Sequence, residues 1–579
     1  MRLIETSTLQ LKDFIGLEIP QYAILSHTWG TDEVTLQEFT SPVKGTKSKK
    51  GYHKIQRAYS LAQSESLDYA WVDTCCIDKT SSAELTESIN SMFEWYKRST
   101  VCYTYLSDIP PRAPSAKDTL TDEELGACRW FTRGWTLQEL IAPEHLVFFD
   151  QDWNPRGTKE SLVHVLSKIT GVDEGVLRDR ERMASQSVAM KMSWASARET
   201  TRFEDTAYCL LGIFNVNMPL FYGEAENAFT RLQHEILKSS TDLSIFGWCT
   251  ELTPLLKTQD TPAPSNEHYQ DGYYSILAPS PKEFGASKLT VETTSLLEYT
   301  VTNLGIRIDC SLLELCMNEC EPLSRCHCNP ESRKYLFDIP SRAYQTKLFP
   351  KGWGVLLEKV EPDYFIRSSS RLIHTYLSGA GMRRTRRRPI YFETAPPRFE
   401  PTVLDVLRPI GVQAPSLEID LVAPESGWDF SKRCFLTRWT SNEQPWGLVE
   451  FRIPKERLQY ASHDIGFCVL FEFYSRDILI LDDHKLNKST GAIFRDGENW
   501  MFREVFEHLY SSGDMRQKIC RERVMREFAF LDRWQSIKYR KKVRVVANIS
   551  EAGYGRWSLM LTVNWGVVSW NSSLRVADK

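Results

Sequence analysis

The stretch Arg129-Trp130-Phe131-Thr132-Arg133-Gly134-Trp135-Thr136-Leu137-Gln138-Glu139-Leu140 decides how this chain is read. Most of it has the spacing of an opening amphipathic helix. Trp135 and Glu139 are four residues apart and stand on one helical face. Leu137, Leu140 and Ile141 face a core, and Ala142-Pro143 ends the helix. Two indole rings and two guanidinium groups around one carboxylate suit a pocket for a flat, polar ligand that carries phosphate. The competing reading is a buried helix in which Glu139 pairs with Arg129 or Arg133.

Outward from that stretch, residues 1 to about 155 alternate between two patterns. Tyr22–Ser26, Tyr69–Asp73, Val101–Leu106 and His145–Phe149 are short apolar runs expected as strands. His53–Ala62 and Ala83–Tyr96 have helical spacing. Such alternation predicts right-handed crossovers and a parallel sheet covered on both faces. Ligands of such sheets sit beyond the carboxyl ends of the strands. Ser26, His27, Thr28, Trp29 and Gly30 follow the first strand, and Asp73 to Asp78 follow the second. Gly30 permits a tight turn with close backbone approach. Asp108 and Asp150, after the third and fourth strands, read as turn residues. Cys75-Cys76 with His27 weakly suggests a thiol nucleophile beside an imidazole base.

Residues 156–245 read as a helical extension. One stripe runs through Leu162, Val165, Leu166 and Ile169, another from Trp194 to Leu211, and a third through Phe229, Leu232, Ile236 and Leu237. Arg198, Arg202, Glu204 and Asp205 interrupt the second stripe, as solvated charges or as groups that reach the pocket from above. Residues 246–579 change pattern to short alternating runs with turn residues, which predicts a mostly antiparallel β region with a helical interruption over Met501–Arg533. Cys310, Cys316, Cys320, Cys326, Cys328 and His327 are too irregularly spaced for a zinc site and read as free thiols. Arg383, Arg384 and Arg386–Arg388 read as a solvated hairpin tip, with a phosphate site or nuclear address as the alternatives.

Composition limits the function classes. A net charge of −4 over 579 residues gives no general drive toward nucleic acid or anionic membrane. No apolar run approaches the roughly 20 residues of a membrane helix, and the first residues lack a signal peptide's apolar core. A cytoplasmic protein with reduced cysteines is expected. The sequence holds no P-loop or GxGxxG, which removes the common phosphate-cradling loops.

Three blocks together resemble the signature motifs of the fungal heterokaryon incompatibility (HET) domain: Tyr22-Ala-Ile-Leu-Ser-His-Thr-Trp-Gly30, Tyr69-Ala-Trp-Val-Asp-Thr-Cys-Cys-Ile-Asp-Lys79 and Arg133-Gly-Trp-Thr-Leu-Gln-Glu-Leu140. Arg202-Phe-Glu-Asp-Thr-Ala-Tyr-Cys-Leu-Leu-Gly212 and Tyr222-Gly-Glu224 are similar to the segment that follows in this family. The second motif often has Ser and Gln where this chain has Thr74 and Lys79. The resemblance implies fungal non-self recognition and programmed cell death, and a remote kinship with TIR domains. Several TIR domains cleave NAD with a glutamate in a Trp-x-x-x-Glu setting, the spacing of Trp135 and Glu139. It therefore implies a flavodoxin-like, TIR-like parallel sheet and an NAD glycohydrolase, with NAD or a related nucleotide as substrate and with neither cofactor nor metal. Glu139 would be catalytic, and Ser26, His27, Trp29, Gly30, Asp73, Asp78, Arg133 and Trp135 would bind substrate. Self-association and an incompatibility partner protein are expected. The alternatives are a non-enzymatic signalling module built on the same motifs and a metabolic enzyme that reuses the scaffold.

Overall fold

The computed structural model describes residues 1–16, 18–111, 122–254, 272–286, 297–316, 333–340, 351–376, 382–394, 410–414, 417–423, 427–431, 433–436, 446–453, 465–472, 478–482, 523–534, 537–551 and 557–568. Among these residues, seven strands form the first sheet: β1 (Arg2–Glu5), β2 (Leu11–Asp13), β3 (Tyr22–His27), β4 (Tyr69–Trp71), β5 (Val101–Tyr105), β6 (Leu146–Phe149) and β7 (Pro155–Thr158). Their order is β2-β1-β4-β3-β5-β6-β7. The four strands expected from sequence, β3 to β6, are mutually parallel. The flanking β1, β2 and β7 are antiparallel additions. Short links join β1 to β2 and β6 to β7, and a link that short can only join antiparallel strands. Every residue of β3 is buried, as a strand covered on both faces requires.

Helices α1 (Leu36–Thr40) and α2 (Lys50–Ser64) connect β3 to β4. Helices α3 (Asp73–Cys76) and α4 (Ser82–Arg98) connect β4 to β5, and α5 (Asp122–Ala127), α6 (Arg129–Thr132) and α7 (Thr136–Ile141) connect β5 to β6. In α2 the buried positions Gly51, Ile55, Ala58 and Ala62 form one stripe that packs on β3 and β4. Ser81 caps α4 by accepting from the Glu84 amide, and Lys97 and Arg98 face the negative end of its dipole. The chain leaves β3 toward β4 but leaves β5 toward β6, so the two connections diverge. A crevice opens where connections diverge at the carboxyl ends of parallel strands.

Three local expectations change. Asp73 does not end a strand but opens α3. The Arg129–Leu140 stretch is two short helices, because Arg133 is extended (φ −83°, ψ 137°) and bridges to Glu199. The Trp194–Leu211 stripe is likewise broken. Helices α8 (Val163–Thr170), α9 (Glu174–Arg178), α10 (Val188–Ala195), α11 (Asp205–Tyr208), α12 (Leu211–Phe214) and α13 (Asn227–Ser239) follow one another, and the segment between α10 and α11 is loop.

The remaining described strands form sheets of nine, six and four strands, paired mostly antiparallel. Residues 523–533, expected as helix, lie in a strand, Arg523–Trp534, paired along its full length with Ile537–Glu551. Its Val, Phe and Trp residues favour extended backbone, and the long partner satisfies the peptide groups that face it. Residues 501–522 of that expectation lie outside the described residues. One apolar core runs from Leu3 through α13 into the β region. Gln233 on α13 clamps the Ala278 peptide with two hydrogen bonds of 2.9 Å. The buried Arg367 guanidinium donates to the Phe246, Trp248 and Ser369 carbonyls and lies 3.5 Å over the Trp248 ring. No described helix is long and apolar enough to cross a membrane.

Cys310 and Cys316 are buried on two strands that do not pair with each other, while Cys320, Cys326, Cys328 and His327 lie outside the described residues. The arginine run is no hairpin tip. Met382–Arg384 pairs with Leu313–Cys316 and Arg388–Phe392 pairs with Gly305–Cys310, so the run links two strands with different partners. Arg383, Arg384, Arg387 and Arg388 are ion-paired with Glu314, Asp338, Asp309 and Asp363.

Candidate functional site

Six of the residues singled out from sequence meet around one cleft of about 360 Å³: His27, Trp29, Asp73, Arg133, Trp135 and Glu139. Ile77, Leu85, Ile89 and Met92 give it an apolar floor. Thr201, Arg202, Asp205 and Tyr222, all from beyond the first sheet, close it from the other side.

Glu139 is placed by α7, whose six residues are all buried. Helix α7 packs against both β3 and α4. Ser26 of β3 therefore reaches it and donates to Oε2 at 2.5 Å, and the Trp130 indole N–H in turn donates to the Ser26 hydroxyl at 2.8 Å. Glu139 as a whole is only 7% exposed, and it lines the cleft. Burial raises its pKa to about 8. The Asp73 charge adds to the rise, while the Ser26 and Tyr96 hydroxyls and the Arg198 guanidinium oppose it. Neither Arg129 nor Arg133 pairs with it. Arg129 donates to the Trp29 carbonyl and Arg133 to Thr201 Oγ1.

Asp73, at the start of α3, accepts from the Trp29 indole N–H at 2.7 Å and lies 3.1 Å from His27 Nε2. These contacts outweigh desolvation and hold its pKa at about 2. Two of the three carboxyl groups that line the cleft, Glu139 and Asp73, are thus driven apart, one protonated and one charged at neutral pH. On the far side of the His27 ring, Lys54 meets Nδ1 at 3.1 Å and pairs with Glu33 at 2.5 Å.

Arg133 and Arg202 both line the cleft. Among the described residues no carboxylate stands within 4 Å of either, so their charge is available to a ligand. Arg202 lies 4.6 Å over the Tyr222 ring, whose hydroxyl donates to Asp205 at 3.0 Å. The loop that carries Arg202 is laid against Thr132–Gly134 by two backbone hydrogen bonds, from the Glu199 amide to the Thr132 carbonyl at 2.7 Å and from the Gly134 amide to the Glu199 carbonyl at 2.9 Å. A Cβ on Gly134 would stand 2.6 Å from Thr200 Cγ2 and 3.1 Å from Cys209 Sγ. The close approach of the two segments therefore needs glycine there. Buried Arg198 supports the same junction by donating to the Arg133 carbonyl and to Thr136 Oγ1.

Three expected residues do not line the cleft. Ser26 lies beneath it as the support of Glu139. The Gly30 amide donates to Glu33 instead. Asp78 accepts from Gln37 and Thr80, which is turn chemistry. Cys75 is sealed in the core with its pKa pushed well above that of a free thiol, which removes it as a nucleophile. Asp150 accepts from the Asp152 and Asn154 amides, as a turn residue does.

The sequence reading gave no site role to Tyr96, which sits in the apolar stripe of α4, or to Lys79, whose ammonium lies 3.4 Å over the Trp29 ring. It named Arg202 and Asp205 without deciding their direction, and their interruption of an apolar stripe was the available signal. Glu204 turns away, accepting from the Gly223 and Ala225 amides.

Residues 22–122 match the family model described as heterokaryon incompatibility protein (HET), and residues 227–342 match a domain of unknown function, DUF8212. Trp135 and Glu139 lie beyond the segment matched by the first model. The chain is 43% identical over 244 residues to the vegetative incompatibility protein HET-E-1 of Podospora anserina. That alignment covers 41% of this chain and 18% of the relative, so the chain spans less than a fifth of that protein's length. No solved structure matches it. Residues 22–122, which supply His27, Trp29 and Asp73 of this cleft, are thus similar to the heterokaryon incompatibility (HET) domain, and the chain is similar over 244 residues to a vegetative incompatibility protein.

Proposed function

We propose that this protein is a cell-death effector of fungal heterokaryon incompatibility whose HET domain cleaves NAD at the nicotinamide–ribose bond. One observation carries the chemistry: Glu139 lines a cleft that also holds Trp29, Asp73 and Arg133, at the carboxyl ends of parallel strands. The vegetative incompatibility protein similar to this chain supports the biological role. The kinship with flavodoxin-like and TIR-like sheets is supported by the order of the four parallel strands, which is second-first-third-fourth along the chain.

In this reading the C1′–N1 bond breaks and its electron pair passes to the pyridinium nitrogen, so nicotinamide leaves neutral and needs no acid. The ribose gains oxocarbenium character, as in glycoside hydrolysis, and the Glu139 carboxylate stabilises or traps it before water completes the exchange. With a pKa of about 8 the carboxyl is mostly protonated in the empty cleft. A cationic nicotinamide ring beside it favours the ionised form. Turnover at low substrate should therefore rise with pH up to about 8. Arg133 and Arg202 suit the pyrophosphate. A volume of about 360 Å³ lies near the lower end for small-molecule clefts, which suits the nicotinamide riboside half with the adenylate at the mouth.

The test is nicotinamide release from NAD by the purified full chain at several protein concentrations. Glu139→Gln should keep the fold and lower turnover by about 10²–10⁴-fold. Equal turnover in the two proteins would remove Glu139 from the chemistry. A second reading draws on the Ser26–Trp130 network, which a purely structural buried carboxyl would also need. It treats the domain as a self-associating signalling module. Absence of nicotinamide release at every concentration, with toxicity kept in cells, would favour that module.

A further inference from the structure

The Lys79 ammonium sits 3.4 Å from the centre of the Trp29 ring. Trp29 is 47% exposed, and its indole N–H is fixed by Asp73 at 2.7 Å, so the ring is held by one edge and presents a face. Among the described residues, no carboxylate stands within 4 Å of the Lys79 ammonium. Its direct partner is the indole, with Asp73 acting at longer range. Trp29, Asp73 and Lys79 all line the cleft that holds Glu139. A cation over an aromatic face beside a carboxylate is the arrangement that recognises a cationic ligand. Here the chain supplies that cation itself.

We infer that the Trp29 face with Asp73 is a subsite for a flat cationic ring of the pyridinium class, and that Lys79 occupies it in the empty protein and must swing out before the ring can stack. One cation–π contact with an exposed indole and longer-range attraction to Asp73 hold the ammonium there, with no ion pair within 4 Å among the described residues, so its displacement is cheap. A lysine stem moves on the timescale of exposed side chains. The device makes the subsite selective. A neutral ring gains little from Asp73 and cannot replace the lost ion–ring attraction, whereas a cationic ring restores both. This inference deepens the proposed NAD reading and rests on it for the position of the ring, but it concerns binding and needs no turnover.

The experiment titrates the full chain with 1-methylnicotinamide, a permanent pyridinium cation, and with neutral nicotinamide, by calorimetry. Lys79→Met keeps the stem and removes the charge. It should tighten binding of the cation about two- to fivefold, the worth of one exposed cation–π contact, and change binding of the neutral amide less than twofold. Trp29→Phe, with circular dichroism to verify folding, should weaken the cation in the Lys79→Met background. Unchanged or weaker cation binding in Lys79→Met, equal tightening for both probes, or no cation binding at millimolar probe would each overturn the inference. Loss of nicotinamide release in the functional test with this selectivity intact would sink the chemistry and leave the subsite standing. The reverse pattern would sink only the subsite.

Discussion

Glu139 holds its proton near neutrality because α7 carries it into the apolar interior with hydroxyl groups for company and no cation in contact. That raised pKa has a consequence for stability. The unfolded carboxyl ionises near 4.5 and the folded one near 8. Below the lower value the two states bind the proton equally. As pH rises between the two values the unfolded chain releases a proton that the folded chain retains, so the folded state loses stability across that window. Gln at this position has no proton to lose. The stability of Glu139→Gln relative to the parent should therefore grow from pH 4.5 to about 8 and level off above it, by roughly 1–4 kcal/mol. Urea unfolding at a series of pH values checks this, and a pH-independent difference would show that the carboxyl titrates normally. Asp73, with its pKa held at about 2, behaves oppositely. It stabilises above the unfolded value near 3.8, and that contribution fades as pH falls toward 2.

At the scale of elements, the junction of Arg133–Gly134 with Glu199–Thr200 decides whether the cleft has a second wall. The backbone bridge there sets the loop that carries Thr201 and Arg202 beside the Trp135–Glu139 helix. Gly134→Ala introduces a methyl 2.6 Å from Thr200 Cγ2, so one segment has to move. We expect a loss of about 1–3 kcal/mol in stability. We also expect a KM for NAD that rises more than kcat falls, because Arg202 shifts while Glu139 keeps its own support. A fall confined to kcat would mean that the loop leaves substrate binding untouched. Arg129–Leu140 reads as one helix because its apolar spacing is helical throughout. The break at Arg133 arises because the extended backbone there bonds to a strand-like segment some 65 residues later, which no local pattern announces.

At the scale of the molecule, the sheet, the helical extension and the nine-stranded sheet share one apolar core. Leu166, Trp194, Leu210 and Leu232 are all fully or almost fully buried in it. A chain ending at residue 155 would strip that cover from the α7 side and remove Arg202, Asp205 and Tyr222 from the cleft. It should be insoluble or lack a cooperative thermal transition, whereas the full chain should melt cooperatively. A soluble, cooperatively melting product ending at residue 155 would show that the first sheet folds alone.

The amino-acid sequence by itself determined the parallel strands β3 to β6, the apolar stripes of α2, α4 and α13, the β character of the later chain, and the pairing of Trp135 with Glu139 on one face. These follow from spacings of a few residues, where backbone geometry ties side-chain direction to chain position. Only the tertiary structure decided which acids share a cleft, which carry protons, and which arginines are free to meet a ligand. Ser26 and Glu139 are separated by 113 residues, and His27 and Asp73 by 46. Ionisation and hydrogen bonding depend on the solvent and partners that such distant segments supply on packing together, and no short window of sequence contains them.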